Sequence, residues 1–157
     1  MTDPYSETIL KALVAEIQKV SVATGYYQDL AIVQRFDSRE QTLAEKPNVQ
    51  VLREGEEKAI NGSEWHVTLR VRVLALIAPP KAVGDLTTDE LTARLQDDVE
   101  RAILKAFDPQ GVLQATLERY SADSVISEDD TDPHEGVTFR LTIHYKHDQL
   151  DTRLVLA

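Results

Sequence analysis

The sequence predicts an α+β domain, built as an antiparallel or mixed sheet of about four to five strands with two helices packed on one face. Two segments repeat apolar residues at three- and four-residue steps, as amphipathic helices do. Two other segments alternate strictly between apolar and polar residues, as half-buried strands do. The predicted order is α-β-β-β-α-β-β, and the short turns between consecutive strands favour antiparallel pairing.

Composition excludes several classes of protein. The length of 157 residues suits one domain, which we place at 1–147, with a C-terminal extension at 148–157. With 42% hydrophobic and 28% charged residues, the chain is neither disordered nor of low complexity. The 17 Lys and Arg against 27 Asp and Glu give a net charge of -10, the wrong sign for a general nucleic-acid binder. Cysteine is absent, which excludes disulfide scaffolds and thiol chemistry.

The amino-terminal part predicts a helix, a strand and a loop. Asp3-Pro4 places a proline at the helix start, where its missing N–H is harmless. The apolar face that follows extends towards Ser21. It consists of Ile9, Leu10, Leu13, Val14, Ile17 and Val20. Residues 30–36 read as a short strand, and residues 37–47 as a polar loop long enough to be a contact loop.

A long hairpin is predicted next. From Trp65 to Val73 apolar residues alternate with polar ones, the strongest strand pattern in the chain. Asn61-Gly62 is the favoured dipeptide for a tight hairpin turn. A two-residue turn there would put apolar residues on the wrong face, so we expect a bulge near Gly55 that sets Val51 opposite Val71.

The second half predicts a helix and two strands. Pro79-Pro80 ends the hairpin strand, because proline cannot join a ladder. Thr87 and Glu90 have capping-box spacing at the start of a helix that ends by Asp108-Pro109. Its apolar stripe is Leu91, Leu95, Val99, Ala102, Ile103 and Ala106. Strands follow at 120–127 and 137–145, and the apolar end of the chain, 154–156, is expected to find a packing partner.

Motifs for chemistry are weak. His66 and His144 both lie on polar strand faces and could meet, but no third metal ligand is evident, so surface histidines are the better interpretation. The acidic run 128–135 lacks the glycine and glutamate spacing of a calcium loop and reads as a solvated turn. Nucleotide-binding and hydrolase motifs are absent. We therefore expect no catalytic, cofactor or metal residues, and a binding or structural protein in preference to an enzyme.

Charge patterning suggests association between copies. The polar faces of the two best strands carry Arg70, Arg72 and Arg140, whereas the second helix carries Glu90, Asp97 and Asp98. A cationic sheet face and an anionic helix face can join head to tail, and such contacts close into rings when the rotation allows it. The alternatives are that both faces are simply hydrated, or that the basic face lines a channel that touches DNA.

The ordered set of features resembles the bacteriophage tail terminators of lambda-like tails. The resemblance extends from about Glu7 to Lys146 and rests on segments in sequence order. These are a strand ending Phe36-Asp37, Pro47 before the strand Val49-Gln50-Val51, the strand from Trp65 to Pro79, the acidic turn 128–132, and the last strand Leu141-Thr142-Ile143-His144-Tyr145.

The resemblance implies a structural virion protein at the neck, assembled in the host cytoplasm. Similar terminators form a hexameric ring that docks on the tail tube protein, stops its polymerisation and presents a surface to the head connector or neck protein. In contractile tails the ring also meets the sheath. Genome DNA would pass through the lumen without specific binding, and no membrane is involved.

Exposed loops on a rigid sheet usually carry recognition, so two connections are the candidate partner interface. Their residues are Asp37, Arg39, Glu40 and Lys46 in the first loop, and Pro79, Pro80 and Lys81 in the second. The inter-subunit candidates are Arg70, Arg72, Arg140, Glu90, Asp97 and Asp98.

Other functions stay open at this point. One is another head–tail joining or tail-completion protein of the same fold, because fold does not fix a position in the virion. Another is a small acidic hydrolase that uses His134 and the neighbouring acidic run. A third is a monomeric adaptor that binds a basic partner.

Overall fold

The structure is a computed structural model that describes residues 3–36, 46–77, 86–111, 113–127, 134–148, 150–151 and 155–156. Lys46 falls within these ranges. The other predicted partner residues lie outside them: Asp37, Arg39, Glu40, Pro79, Pro80 and Lys81. The acidic turn 128–132 also lies outside the described residues.

Two α-helices and six strands make up the described chain. The helices are α1, Tyr5–Ile17, and α2, Thr88–Ala106, with a short 3-10 helix at Val22–Thr24 between α1 and the first strand. The strands are β1 Ile32–Phe36, β2 Asn48–Asn61, β3 Glu64–Leu76, β4 Thr116–Ser127, β5 His134–Asp148 and β6 Val155–Leu156. Neither α-helix in these ranges is long and apolar enough to cross a bilayer.

The strands form one mixed sheet in the order β1-β2-β3-β5-β4. β1 runs parallel to β2, and every other pairing is antiparallel. The α+β prediction and its element order are therefore confirmed. β6 pairs with Lys146 and His147 of β5, so part of the 148–157 segment joins the sheet, and its apolar residues obtain the partner that the sequence predicts.

The core lies between the helices and one face of the sheet. Alternate residues of β3 and β5 point to this face and are buried there, including Val67, Leu69, Phe139 and Leu141. The opposite face, called the outer face below, carries His66, Arg70 and Arg72 of β3 together with Arg140 and His144 of β5. The outer face is not polar throughout, because Leu52, Leu74 and Leu76 lie on it and are buried as well.

The hairpin of β2 and β3 confirms one prediction and corrects another. The register shifts between Arg53 and Gly55, where the sequence predicts a bulge. The turn itself lies one residue later than expected, because Asn61 pairs with Glu64 and Gly62 adopts a positive φ of 66°. Val51 consequently faces Val73, not Val71. The predicted face of Val51 is right nonetheless, because moving the turn by one residue shifts each pairing by two residues, and residues two apart share a face.

The start of α2 agrees with the sequence prediction, and the end of α1 differs from it. The Thr87 hydroxyl accepts the Glu90 N–H at 3.2 Å, and the Glu90 carboxylate accepts the Thr87 N–H at 2.9 Å, which confirms the capping box. α1 ends at Ile17, four residues before the predicted Ser21. Val20 is buried nonetheless, because the chain stays packed against the core after the helix has ended.

Gly136 marks the closest approach within the sheet. A Cβ atom added there would lie 1.9 Å from the carbonyl oxygen of Ala75 on β3. Real Cβ atoms do not approach a backbone atom so closely, so only glycine fits while β3 and β5 remain paired. Gly55, by contrast, would place its Cβ 3.2 Å from the far end of the flexible Arg70 side chain.

We expect Gly136→Ala to lower the free energy of unfolding by about 3 kcal/mol or more, because the β3–β5 ladder must open locally to admit the methyl group. Gly55→Ala is the matched control and should change stability by less than about 1 kcal/mol. Urea unfolding monitored by circular dichroism measures both values. Equal stability of the two variants would contradict the close approach.

Candidate interaction surface

The outer face pairs its cations with carboxylates of β2. Arg70 Nη1 lies 2.6 Å from Glu57 Oε1. Glu54 Oε1 lies 3.4 Å from both Arg72 Nε and Arg140 Nη1. The register explains the Glu57 contact, because the bulge at Gly55 moves Glu57 to the face on which the β3 and β5 arginines stand.

This pairing corrects the expectation of a cationic sheet face. The expectation used β3 and β5 alone, where Arg70, Arg72 and Arg140 dominate. The carboxylates that neutralise them come from β2, whose polarity pattern is less regular and whose facing depends on the bulge. Arg70 and Arg140 remain about half exposed, at 47% and 58% of their side-chain area, and the three arginines share two carboxylates, so their charge is partly neutralised.

The two strand histidines meet as expected. His66 Nδ1 lies 3.3 Å from His144 Nε2, and His66 Nε2 lies 3.5 Å from Glu64 Oε1. The contact is diagonal, because Thr68 and not His66 is opposite His144 in the ladder. Among the described residues, no group of three histidine or carboxylate side chains is arranged to hold a metal ion.

The α2 carboxylates are not equivalent. Asp97 is 53% exposed and pairs with Arg101 at 3.0 Å, while the exposed Glu90 caps the helix. Asp98, which the sequence places on the exposed anionic surface, has a fully buried side chain. The prediction of an exposed Asp98 is wrong because the 3.6-residue period turns it towards the chain that follows α1.

Asp98 fixes the loop after the 3-10 helix to α2. Its Oδ1 accepts the Tyr27 N–H at 3.0 Å, its Oδ2 accepts the Gln28 N–H at 3.2 Å, and Arg101 Nη2 donates to Oδ1 at 2.9 Å. The Arg101 guanidinium also stacks 4.5 Å from the ring centre of Tyr26. The sequence analysis missed this cluster, although Gly25-Tyr26-Tyr27 is an unusual run whose Gly25 has a φ of 91°.

We expect Asp98→Ala to lower the free energy of unfolding by about 2–4 kcal/mol, because two buried main-chain donors and one guanidinium lose their acceptor. Asp97→Ala removes a carboxylate one position away and should leave stability nearly unchanged, since that pair is exposed. Thermal and urea unfolding of the two variants provide the comparison. A small effect at Asp98 would show that water replaces the carboxylate.

A second polar group is buried on the helix side of the sheet. Tyr145 contacts Ser6 and Glu56, and Glu56 Oε1 lies 3.0 Å from Arg53 Nη2. Burial, together with the negative charge of Glu56, raises the pKa of Tyr145 to about 12 from its ordinary 10. The ring of Tyr5 packs edge-on against Tyr145, with the ring centres 5.3 Å apart.

Because the folded state retains the Tyr145 proton above pH 10, where the unfolded chain has lost it, stability should fall between pH 10 and pH 12 by about 2 kcal/mol. Below pH 10 Tyr145 should contribute no pH dependence. Tyr145→Phe should flatten part of this fall, and Tyr27→Phe, at an exposed position, should leave it unchanged. Unfolding free energies measured from pH 8 to 12 test the sign and the window.

A groove follows the free side of β4 at one end of the sheet. Its volume is about 880 Å³, and it lies between the end of α2 and the start of β4. Leu104 and Tyr120 line it and are 47% and 39% exposed. The Tyr120 hydroxyl donates to Glu100 of α2, and this bond fixes the ring at the wall of the groove. Among the residues that the structure describes, β4 pairs with β5 alone, so this groove borders a sheet edge with no described partner.

The sequence pattern does not predict the groove or the edge. The sequence contains part of the information, because Leu104 is an apolar residue on the polar face of α2 and Ile126 is an apolar residue that the structure leaves 67% exposed. What could not be read from the pattern is that β4 is the terminal strand. Strand order depends on β5 pairing with both β3 and β4, which no local pattern encodes.

The predicted loop residue within the described range is Lys46. It is half-buried, and its peptide bond to Pro47 is cis. It stands immediately before β2, at the end of the sheet where β1 begins to pair with β2.

The chain gives no match to protein-family models and none to curated proteins.

Proposed function

We propose that this chain is a structural protein of a bacteriophage virion, a tail terminator that assembles as a hexameric ring. The ring caps the tail tube, stops the polymerisation of the tube protein and offers its other face to the head connector or neck protein. In a contractile tail it also meets the sheath. The chain acts by binding and not by catalysis, at the neck of a virion assembled in the host cytoplasm.

One observation carries the proposal: the sheet is open at both ends, and its two edges run in opposite directions. β1 and β4 each pair with one strand among the described residues. An exposed edge presents a row of unpaired N–H and C=O groups, which can pair with a strand of another chain. Two different edges on one subunit give head-to-tail contacts, which close into a ring when the rotation allows it.

The charges support a bore that DNA can cross. Each arginine of the outer face named above lies beside a β2 carboxylate, so these side chains are not presented as a phosphate-binding array. The net charge of -10 per chain gives on the order of sixty negative charges in six copies. Density that shows Arg70 or Arg140 against DNA phosphates inside the bore would contradict this part of the proposal.

Charge reversal in the first loop tests the capping role. A phage that carries Arg39→Glu, Glu40→Lys and Lys46→Glu should produce tails of uncontrolled length or tails that fail to join heads, because the recognition loop no longer matches its partner. Electron microscopy of the lysate measures tail length and the fraction of complete particles.

The matched control is charge reversal at Lys19 and Glu16, an ion pair at the end of α1 turned away from Val14, which preserves the net charge when both are exchanged. This variant should assemble normally. Normal infectious particles from the loop variant would remove these residues from the interface. Tails of normal length that lack heads would indicate a neck-joining protein of the same fold in place of a terminator.

A further inference from the structure

We propose that the ring is built by one specific strand addition: β4 of one copy receives β1 of the next copy, antiparallel, in the register that sets Gln34 opposite Asp123. The groove beside β4 then receives the neighbour's α1. This inference deepens the proposed function and rests on it, since it names the contact by which identical subunits close a ring.

The direction of β1 and β4, and the position of their residues along the strands, are compatible with this pairing. β1 runs parallel to β2, and β4 runs opposite to both, so a continued sheet pairs β4 with β1 of the next copy in antiparallel fashion. The registers place Gln34 level with Gln50, Leu74, Thr138 and Asp123 across the five strands. The two edges therefore meet at the same height when neighbouring copies join with no shift along the strands.

The hydrogen-bond alternation of the ladder agrees with this register. The Ile77 N–H donates to the Glu135 carbonyl oxygen at 2.9 Å, so this level is a hydrogen-bonded pair of β3 and β5. Such pairs alternate along antiparallel strands, so Val137, two residues after Glu135, also directs its main-chain groups towards β3. Ser124 of β4 lies opposite Val137 and therefore directs its own main-chain groups away from β5, towards the open edge. At the same level of β1, the Val33 carbonyl oxygen accepts a bond of 3.3 Å from the Gln18 side chain, which lies outside the ladder.

The side chains on the two edges are compatible. The exposed carboxylate of Asp123 would face the amide of Gln34, which can donate to it. Ile32 and Val125, both partly buried, would form the next apolar pair on the same face. β4 carries two carboxylates, Glu118 and Asp123, against Arg119, whereas Arg35 of β1 is paired with Glu7 of its own copy, so the match between the edges rests on the residue pairs named above and not on net charge.

The helix layer gives a second reason to choose β1. α1 lies beside β1, as the contact of Glu7 with Arg35 at 2.9 Å shows. When β1 of the next copy extends the sheet beyond β4, its α1 comes to lie over the groove. The partly buried Val14 of that helix would then meet the exposed Leu104 and Tyr120 of the groove. The neighbour thus completes a layer that α2 leaves unfinished.

The competing arrangement pairs β4 with β4 of a second copy around a two-fold axis. Centred on Ser121 in the middle of β4, that pairing would set Ser121 opposite itself and Arg119 opposite Asp123, and in any register it would leave β1 open in both copies. The β1 pairing covers both edges with one contact. We therefore argue for β1, and the experiment distinguishes the two arrangements.

Engineered cysteines test the register, because the chain has no cysteine of its own. In the double variant Gln34→Cys, Asp123→Cys, directly opposite residues on neighbouring copies come within disulfide reach. Mild oxidation of rings assembled on tail tubes should give a ladder of linked chains up to six on a non-reducing gel. The matched control, Gln34→Cys with Ala122→Cys, puts the two thiols on opposite faces and should give at least about tenfold less product.

Each outcome of the cross-linking experiment supports or contradicts a different part of the proposal. Six-fold rings in electron micrographs without the 34–123 linkage would overturn the register while the proposed function stands. A linked dimer from Ser121→Cys alone would overturn it in favour of the two-fold pairing. A strong 34–123 linkage in open filaments that do not cap tails would support the strand addition and contradict the terminator role.

Discussion

The antiparallel pair of β3 and β5 is the constraint on which the rest of the structure depends. Thirteen consecutive residues of β3, Glu64 to Leu76, each face one residue of β5. This register puts the buried apolar side chains from Val67 to Val73 and from Val137 to Tyr145 on the helix side, and the arginines of both strands on the other. It requires glycine at position 136, where the backbone of Ala75 leaves no room for a side chain. Helix packing and surface charge both follow from it.

A feature of this fold is predictable from the sequence when the residues that determine it are close together in the chain. The alternation in β3 and β5, the Thr87 cap and the bulge near Gly55 are local patterns, and the structure confirms them. Asp98 was misplaced because a charged residue one turn from the apolar stripe reads as exposed unless its partners, the main-chain donors of Tyr27 and Gln28, are known. Those partners are about seventy residues away in the chain.

The surface charge illustrates the same limit. Arg70, Arg72 and Arg140 are easy to place on one face, since their strands alternate strictly. Their carboxylate partners come from β2, where one extra residue decides which side chains share that face. Without the bulge, alternation from Leu52 would bring Glu54 and Glu56 to this face, whereas with the bulge Glu54 and Glu57 meet the arginines. The bulge therefore decides which carboxylates pair with the arginines, and the alternation in β3 and β5 contains no information about it.

Edge strands explain why a small acidic domain would suit a ring. Repulsion between chains of charge -10 opposes association, so the contact between copies must gain its free energy from paired backbone and buried apolar groups. An open edge with an adjacent apolar groove provides both, and it does so only to a strand of matching direction. The same repulsion weakens unspecific clustering of free subunits. Association would then depend on register more than on attraction, which is what a ring of fixed size requires.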